Sequence, residues 1–202
     1  MELNGKRISI LVEDLYQDQE VWYPYFRLKE AGAEVLVVGT NKKEYKSKHG
    51  YPILANVTVD KVSAKQFDAV VIPGGYAPDI LRRFPEVIRF VKEMDQQGKL
   101  IAAICHAGWV LCSTEMLRGK TATCFFAIKD DLINAGANYV DREVVRDGNL
   151  ITARKPEDLP AFLRALIDAL KEAAVVPSRG RLSAPRGAGQ AGKPQAAPAQ
   201  IS

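Results

Sequence analysis

The chain has 202 residues, and 47% of them are apolar, which is enough to bury a full core and excludes a disordered chain, a fibrous repeat and a disulfide-stapled miniprotein. The formal charge of +4 arises in residues 178–202, whose only charged side chains are Arg179, Arg181, Arg186 and Lys193; the other residues hold 24 bases and 24 acids. A neutral body offers no broad basic surface, so we expect no specific nucleic-acid partner.

Strands and helices alternate from the start of the chain. The short apolar run Arg7–Val12 predicts a central strand covered on both faces. Helical spacing predicts a helix over Tyr23–Ala31 that ends at Gly32, and Glu34–Gly39 reads as the next strand. Strand, helix and strand in this order form a βαβ unit with a right-handed crossover.

The same alternation recurs further on, with a strand over Ala69–Ile72, a helix over Glu86–Gln97, a strand over Leu100–Ile104 and a helix from His106. Between the two stretches, Lys42–Thr58 is polar and turn-rich, which suits a hairpin-like excursion at the sheet edge. We therefore predict an α/β fold built on a doubly wound, mostly parallel sheet with helices on both faces.

The last third of the chain is less regular. It predicts a helix near Ile128–Ala135, a hairpin of Val144–Arg146 with Leu150–Ala153, and a final amphipathic helix over Pro156–Ala174. Gly, Ala, Pro, Gln and Ser then dominate, and a segment of that composition buries too little apolar surface to offset its ordering entropy. We expect one α/β domain over residues 1–176 and a disordered basic tail over residues 177–202.

Two features bear on the cellular location. No apolar run reaches the ~18 residues that a membrane span requires, so no membrane association is expected. Cys105, Cys112 and Cys124 occur without a secretory leader, which predicts a reducing compartment and a cytoplasmic protein. These cysteines and the two histidines lack the spacing of a zinc site, so we expect neither a metal nor a cofactor.

Cys105 carries the sharpest chemical signal. The apolar strand Leu100–Ile104 ends on this cysteine, and a helix with small residues on its first turn follows at once. This is the sequence pattern of a nucleophile elbow, which presents a side chain at the carboxyl edge of a sheet. A helix N-terminus also favours thiolate over thiol, so the pattern predicts an acidic, reactive Cys105 with His106 beside it. Cys112 and Cys124 are predicted to be packed and unreactive.

A second signal follows the strand Ala69–Ile72. Gly74 and Gly75 come directly after Pro73, at the same predicted carboxyl edge as Cys105. Adjacent glycines permit the close approach and unusual dihedral angles of an oxyanion site. We expect the Gly75 amide and the amide after Cys105 to face a developing oxyanion.

Several motifs occur in register between about residues 7 and 172. They are Tyr23-Pro24-Tyr25 with Arg27-Leu28-Lys29-Glu30, Lys48-His49-Gly50-Tyr51, Phe67-Asp68-Ala69, Pro73-Gly74-Gly75-x-Ala77-Pro78, Ile104-Cys105-His106, Leu117-Arg118-Gly119 and Ile128-Lys129-Asp130-Asp131-x-Ile133-Asn134-Ala135-Gly136. Together they resemble the ThiJ/PfpI family of small α/β cysteine proteins, and within it the PfpI-like intracellular protease branch. The resemblance implies a flavodoxin-like three-layer sandwich that is shared with class I glutamine amidotransferases.

The resemblance also implies roles for individual residues. It makes Cys105 the nucleophile and His106 its partner, and it implies an oligomer, a dimer or larger, with sites near subunit interfaces. Members of the family usually carry a glutamate against the sulfur, and the sequence places Gln17 at that position, which has no proton to exchange. The acid that reaches the histidine, within the chain or across a subunit boundary, is implied to be Asp79.

Three functions remain open from the sequence. In the first, Cys105 attacks the carbonyl carbon of a reactive dicarbonyl or a glycation product, as in glyoxalase III-like or protein deglycase chemistry. The second is peptide hydrolysis by a PfpI-like intracellular cysteine peptidase. The third is a redox-sensing or chaperone-like stress protein in which Cys105 is oxidised reversibly and little substrate turns over. We rank carbonyl chemistry first, because dicarbonyl carbons are far more electrophilic than amides.

Overall fold

The computed structural model describes residues 1–175. Its strands are β1 (Arg7–Leu11), β2 (Glu34–Gly39), β3 (Glu44–Lys46), β4 (Pro52–Leu54), β5 (Val57–Thr58), β6 (Ala69–Ile72), β7 (Leu100–Ile104), β8 (Thr121–Ala122), β9 (Asn138–Tyr139), β10 (Val144–Asp147) and β11 (Leu150–Ala153). Its helices are α1 (Asp18–Glu30), α2 (Ala77–Leu81), α3 (Pro85–Gln96), α4 (Gly108–Thr114), α5 (Lys129–Asn134) and α6 (Leu159–Val175). The predicted tail over residues 177–202 lies outside the described residues.

A seven-stranded sheet forms the centre of the molecule, in the order β10-β11-β7-β6-β1-β2-β5. All its pairings are parallel except that of β10 with β11, which form the predicted hairpin. The excursion after β2 is also a hairpin, because β3 and β4 pair antiparallel outside the main sheet. The doubly wound, mostly parallel fold is therefore confirmed. None of the helices in residues 1–175 has the length and apolar character needed to cross a bilayer.

Helices cover both faces of the sheet because successive strand residues point to opposite sides. In β6, Val71 packs into the core beneath α1 and α6, whereas Val70 and Ile72 pack into the core beneath α3, α4 and α5. Each of these three side chains is fully buried. Because both faces of this strand are covered, the run Ala-Val-Val-Ile is apolar throughout and does not alternate between apolar and polar residues.

The strand order places a crevice between β1 and β6. From β1 the chain winds outward to β2 and β5, then returns to β6 on the other side of β1. In doubly wound sheets, ligands bind at the carboxyl ends of the strands where the winding direction reverses. The loop after β1 and the turn after β6 meet at this point, where Tyr16 bridges Gly75.

The main difference from the sequence-based expectation is the start of α1. The helix begins at Asp18, five residues before the predicted Tyr23. Asp18 and Glu20 are polar, so the apolar spacing that predicts a helix does not extend to them. Acidic side chains in a first turn nevertheless interact favourably with the helix dipole. The short helix α2 was also not predicted, since its five residues follow a Pro-Gly-Gly turn.

Candidate active site

Cys105 lies at a strained junction between strand and helix. It follows β7 directly and opens a 3-10 turn, Cys105–Ala107, that leads into α4. Its φ is +62°, in the left-handed region that residues other than glycine seldom adopt. Only 8% of the residue is exposed. This is the backbone geometry of a nucleophile elbow, with the thiol held at the carboxyl edge of the sheet.

The carboxyl group that faces this thiol belongs to Glu20 of α1. Glu20 is fully buried, and its Oε2 accepts a hydrogen bond of 2.6 Å from the Gly74 amide. A side-chain carbon at Gly74 would lie 2.6 Å from both Cys105 Cβ and Glu20 Oε2, so only glycine leaves room for the three groups to meet. Burial raises the pKa of Glu20 to about 7.

The placement of the family's glutamate at Gln17 is therefore corrected. Gln17 contacts the turn after β6 through its backbone, where its N–H donates to Gly74 O over 3.2 Å. The carboxyl at the sulfur comes from three residues further on. Extending the predicted helix back to Asp18 would have placed Glu20 on its buried face, because Glu20, Pro24 and Leu28 are spaced four residues apart and all are buried.

The expectation of an acidic thiol from the helix terminus is also corrected. Burial, followed by the negative charge of Glu20, raises the pKa of Cys105 to about 12. The amides of Gly75 and His106 act in the opposite direction, but they do not outweigh burial. A short 3-10 turn and the seven-residue α4 provide only a weak dipole. The thiol and the carboxyl therefore form a coupled pair, and burial raises the pKa of both members.

Two backbone amides lie at the sulfur, those of Gly75 and His106. Gly75 has a φ of +76° and sits against Leu15 O and Gln17 N, so a side chain there would meet backbone atoms. Gly74, the other predicted oxyanion residue, already donates its N–H to Glu20. Of the two predicted glycines, Gly75 is therefore the one whose amide lies at the sulfur, together with the amide of His106.

His106 lies beside the sulfur, with Nδ1 3.2 Å from Cys105 Sγ. Its ring stacks on Phe125 at 4.9 Å between centroids and is tilted against Trp109 at 5.1 Å. Burial, together with the nearby positive charge of Lys48, lowers the pKa of His106. The imidazole is thus held in its neutral form, which can both accept and donate a proton.

Asp79 does not contact His106 within the described chain. It lies in the first turn of α2, and its carboxylate pairs with Arg83 one turn further along. Cys105, His106, Gly74 and Gly75 lie together at the crevice, whereas the described contact of Asp79 is with Arg83. Among residues 1–175, no three His, Cys, Asp or Glu side chains are arranged to hold a metal ion.

Aromatic side chains form the outer wall of the site. Trp109, on the first turn of α4, packs edge-on against the half-exposed Tyr76 at 6.2 Å and donates from Nε1 to Asp131 over 2.9 Å. Phe126 is 70% exposed and packs against Phe125. Trp109 and Phe125 therefore pack against His106, the residue next to the sulfur.

Fold and site together define a doubly wound α/β protein with a buried cysteine at a nucleophile elbow and a carboxyl group against its sulfur. The chain belongs to the DJ-1/PfpI family, whose model matches residues 6–169. This family membership confirms the resemblance inferred from the motifs.

Three known proteins illustrate the relationship. A deglycase of Pyrococcus abyssi is 43% identical over 82% of this chain and 99% of its own length. The protein YraA of Bacillus subtilis, provisionally named a cysteine protease, is 41% identical over 83% of this chain and 99% of its own length. A solved two-domain protein of Anabaena variabilis, with DJ-1/ThiJ/PfpI-like and ferritin-like domains, superposes with a TM-score of 0.81 at 46% identity; the match covers 89% of this chain and 52% of that one.

Proposed function

We propose that this protein is a stress-related cysteine-nucleophile enzyme that acts on reactive carbonyls, in a glyoxalase III-like or deglycase reaction. The observation that carries the proposal is the meeting of one thiol, one carboxyl group and two backbone amides at Cys105. A thiol with a neighbouring base and a preformed oxyanion pocket is suited to adding to a carbonyl carbon. The similarity to a protein named a deglycase supports the same class of substrate.

The first chemical step follows from the coupled pair. The Cys105 thiol adds to the aldehyde carbon while Glu20, as the carboxylate, takes the proton from sulfur. The carbonyl oxygen gains the negative charge between the amides of Gly75 and His106. Because the thiol has a raised pKa, proton removal has to accompany attack, and a base of pKa about 7 is matched to neutral pH.

The second step requires a proton carrier. In the adduct of a 1,2-dicarbonyl, a proton moves from the carbon bonded to sulfur to the adjacent carbonyl, and a thioester results. His106, 3.2 Å from the sulfur through Nδ1, is the group placed to move that proton. Water then releases the hydroxy acid and restores the thiol, so the net reaction adds one water to the dicarbonyl.

Peptide hydrolysis is the second candidate, and the similarity to YraA favours it. An amide carbonyl is a weaker electrophile than an aldehyde, and a thiol with a raised pKa is a weaker nucleophile than a preformed thiolate. The same raised pKa also disfavours the redox-sensing alternative, because oxidation requires a thiolate.

A substrate panel tests the proposed function directly. Methylglyoxal, a methylglyoxal adduct of an N-protected amino acid and a set of fluorogenic peptides are given to the same preparation. We expect consumption of the first two, with formation of lactate followed by NMR. Release of fluorophore without loss of methylglyoxal would identify a peptidase, and peroxide-driven mass increase at Cys105 with no turnover of any substrate would support the redox alternative.

We also propose that the protein forms a homo-oligomer. On α1, Tyr23 and Phe26 are 39% and 61% exposed, and the Trp22 ring packs against Phe26 and against the exposed Tyr51. A groove of about 560 Å³ runs beside them, between α1 and the start of α6. Contiguous apolar surface of this kind is uncommon on a monomer, and a second copy is the occupant proposed here.

Replacing Phe26 with glutamate is expected to shift the protein to a smaller species in size-exclusion chromatography with light scattering. The reason is that a buried carboxylate at an interface has no partner and must be desolvated. Ile133 on α5 is the control, since it is 48% exposed on the opposite layer. Equal behaviour of Phe26→Glu and Ile133→Glu, or a wild-type monomer, would rule out this face.

A further inference from the structure

The positive charge at the entrance of the site has no role in the steps above. Lys48 follows β3 in the turn of the hairpin and is exposed. The ion pairs around it, Lys42 with Asp14 and His49 with Asp18, do not include it, and no described residue forms a salt bridge with Lys48.

Backbone pairing fixes how far Lys48 is from the site. Its N–H donates to Tyr16 O over 2.9 Å, and Tyr16 bridges Gly75 on its other side. Segments paired in this way lie about 4.8 Å apart, so the backbone of Lys48 is roughly 10 Å from that of Gly75. A lysine side chain spans much of that distance on its flexible four-carbon stem.

The charge of the Lys48 ammonium group acts on two ionisable groups of the site. Its charge lowers the pKa of Glu20 on α1 and also that of His106 after β7, although burial is the first cause of the shift in each group. The two groups lie on different elements on two sides of the sulfur. The exposed Glu157 acts on Glu20 alone and raises its pKa.

Resting on the proposed function, we propose that Lys48 is a specificity residue that binds the carboxylate of a carbonyl substrate while the carbonyl carbon is held at Cys105. The preferred substrates are then aldehydes or glycation adducts that carry a carboxylate a few bonds from the reactive carbon. Neutral dicarbonyls use the same sulfur and amides but form no ion pair with Lys48. Such a substrate would therefore meet one cation, two backbone amides and one thiol.

Alkylation of Cys105 by two reagents that react by the same mechanism tests the role of Lys48 without any substrate turnover. Iodoacetate and iodoacetamide differ mainly in charge, so the ratio of their rates at Cys105 reports the field at the entrance. We expect Lys48→Met to lower the iodoacetate-to-iodoacetamide ratio roughly three- to tenfold, and Lys48→Glu to lower it further. The matched control is Lys65, which is exposed in the turn before β6, at the amino end of that strand. Lys65→Met should leave the ratio unchanged.

Two results would overturn the proposal. If both reagents slow by the same factor in Lys48→Met, the lysine acts on the thiol and not on the reagent's carboxylate. An unchanged ratio would show that the ammonium does not face the bound reagent. Turnover of 4,5-dioxopentanoate, a ketoaldehyde that carries a carboxylate, and of neutral methylglyoxal provides the second readout: the ratio of their kcat/KM values should fall in Lys48→Met. A wild-type protein that consumes neither aldehyde contradicts the proposed function, whereas the alkylation ratio still decides the role of Lys48.

Discussion

Replacing Cys105 with alanine is expected to lower kcat/KM for methylglyoxal by at least about 10³-fold, because the covalent adduct can no longer form. The loss should appear in kcat, since the amides of Gly75 and His106 and the aromatic wall stay in place to bind substrate. Lactate formation followed by NMR measures the rate. The thermal unfolding midpoint should change little, because alanine retains the backbone and removes only a single sulfur atom.

Cys112 is the matched control for this experiment. It lies seven residues further along in α4, is half-buried, and has a pKa that burial raises to about 11. Cys112→Ala should keep full activity. An activity that survives in Cys105→Ala, or disappears equally in both variants, would contradict the assignment of the nucleophile.

Replacing Glu20 with glutamine is expected to reduce kcat/KM by about 10²- to 10⁴-fold, the usual contribution of a general base. Glutamine fills the same space and its amide oxygen can still accept from Gly74, but it cannot take the thiol proton. In the wild type, activity should rise with pH through about 7, where Glu20 loses its proton. That rise should vanish in Glu20→Gln.

The same substitution should change how stability depends on pH. The pKa of Glu20 is about 7 in the folded state and 4.5 without the fold, so the unfolded chain releases this proton first as pH rises. The contribution of Glu20 therefore destabilises the folded protein progressively between pH 4.5 and pH 7, by on the order of 3 kcal/mol in full. Urea unfolding should show Glu20→Gln gaining stability relative to wild type above pH 7 and little below pH 4.5.

Glu13 is the control for the activity measurement. It is also a buried carboxyl group near the end of β1, but it accepts from Thr40 and from the Asp14 amide and has no contact with Cys105. Glu13→Gln should keep the rise in activity through about pH 7. If both glutamine variants lose that rise, Glu20 is not the group that titrates during catalysis.

The sequence by itself determined the scaffold and the position of the sulfur. Short apolar runs such as Arg7–Val12 and Leu100–Ile104, separated by helical periods, admit little other than a doubly wound sheet. Cys105 could be placed at a strand-to-helix junction because the apolar pattern of a strand ends at that residue and helical spacing begins after it. Both inferences depend only on the spacing of apolar residues within one segment of the chain, and that spacing is visible in the sequence.

Only the tertiary structure decided which groups surround that sulfur and how it ionises. Gly74 and Glu20 are 54 residues apart in the chain, and they meet because the loop after β1 and the turn after β6 share one edge of the sheet. Burial then sets the pKa of Glu20 and Cys105 and outweighs the local helix terminus on which the expectation of an acidic thiol relied. Desolvation depends on every element packed around a group, so neither these pKa values nor the proximity of Lys48 can be read from neighbouring residues in the sequence.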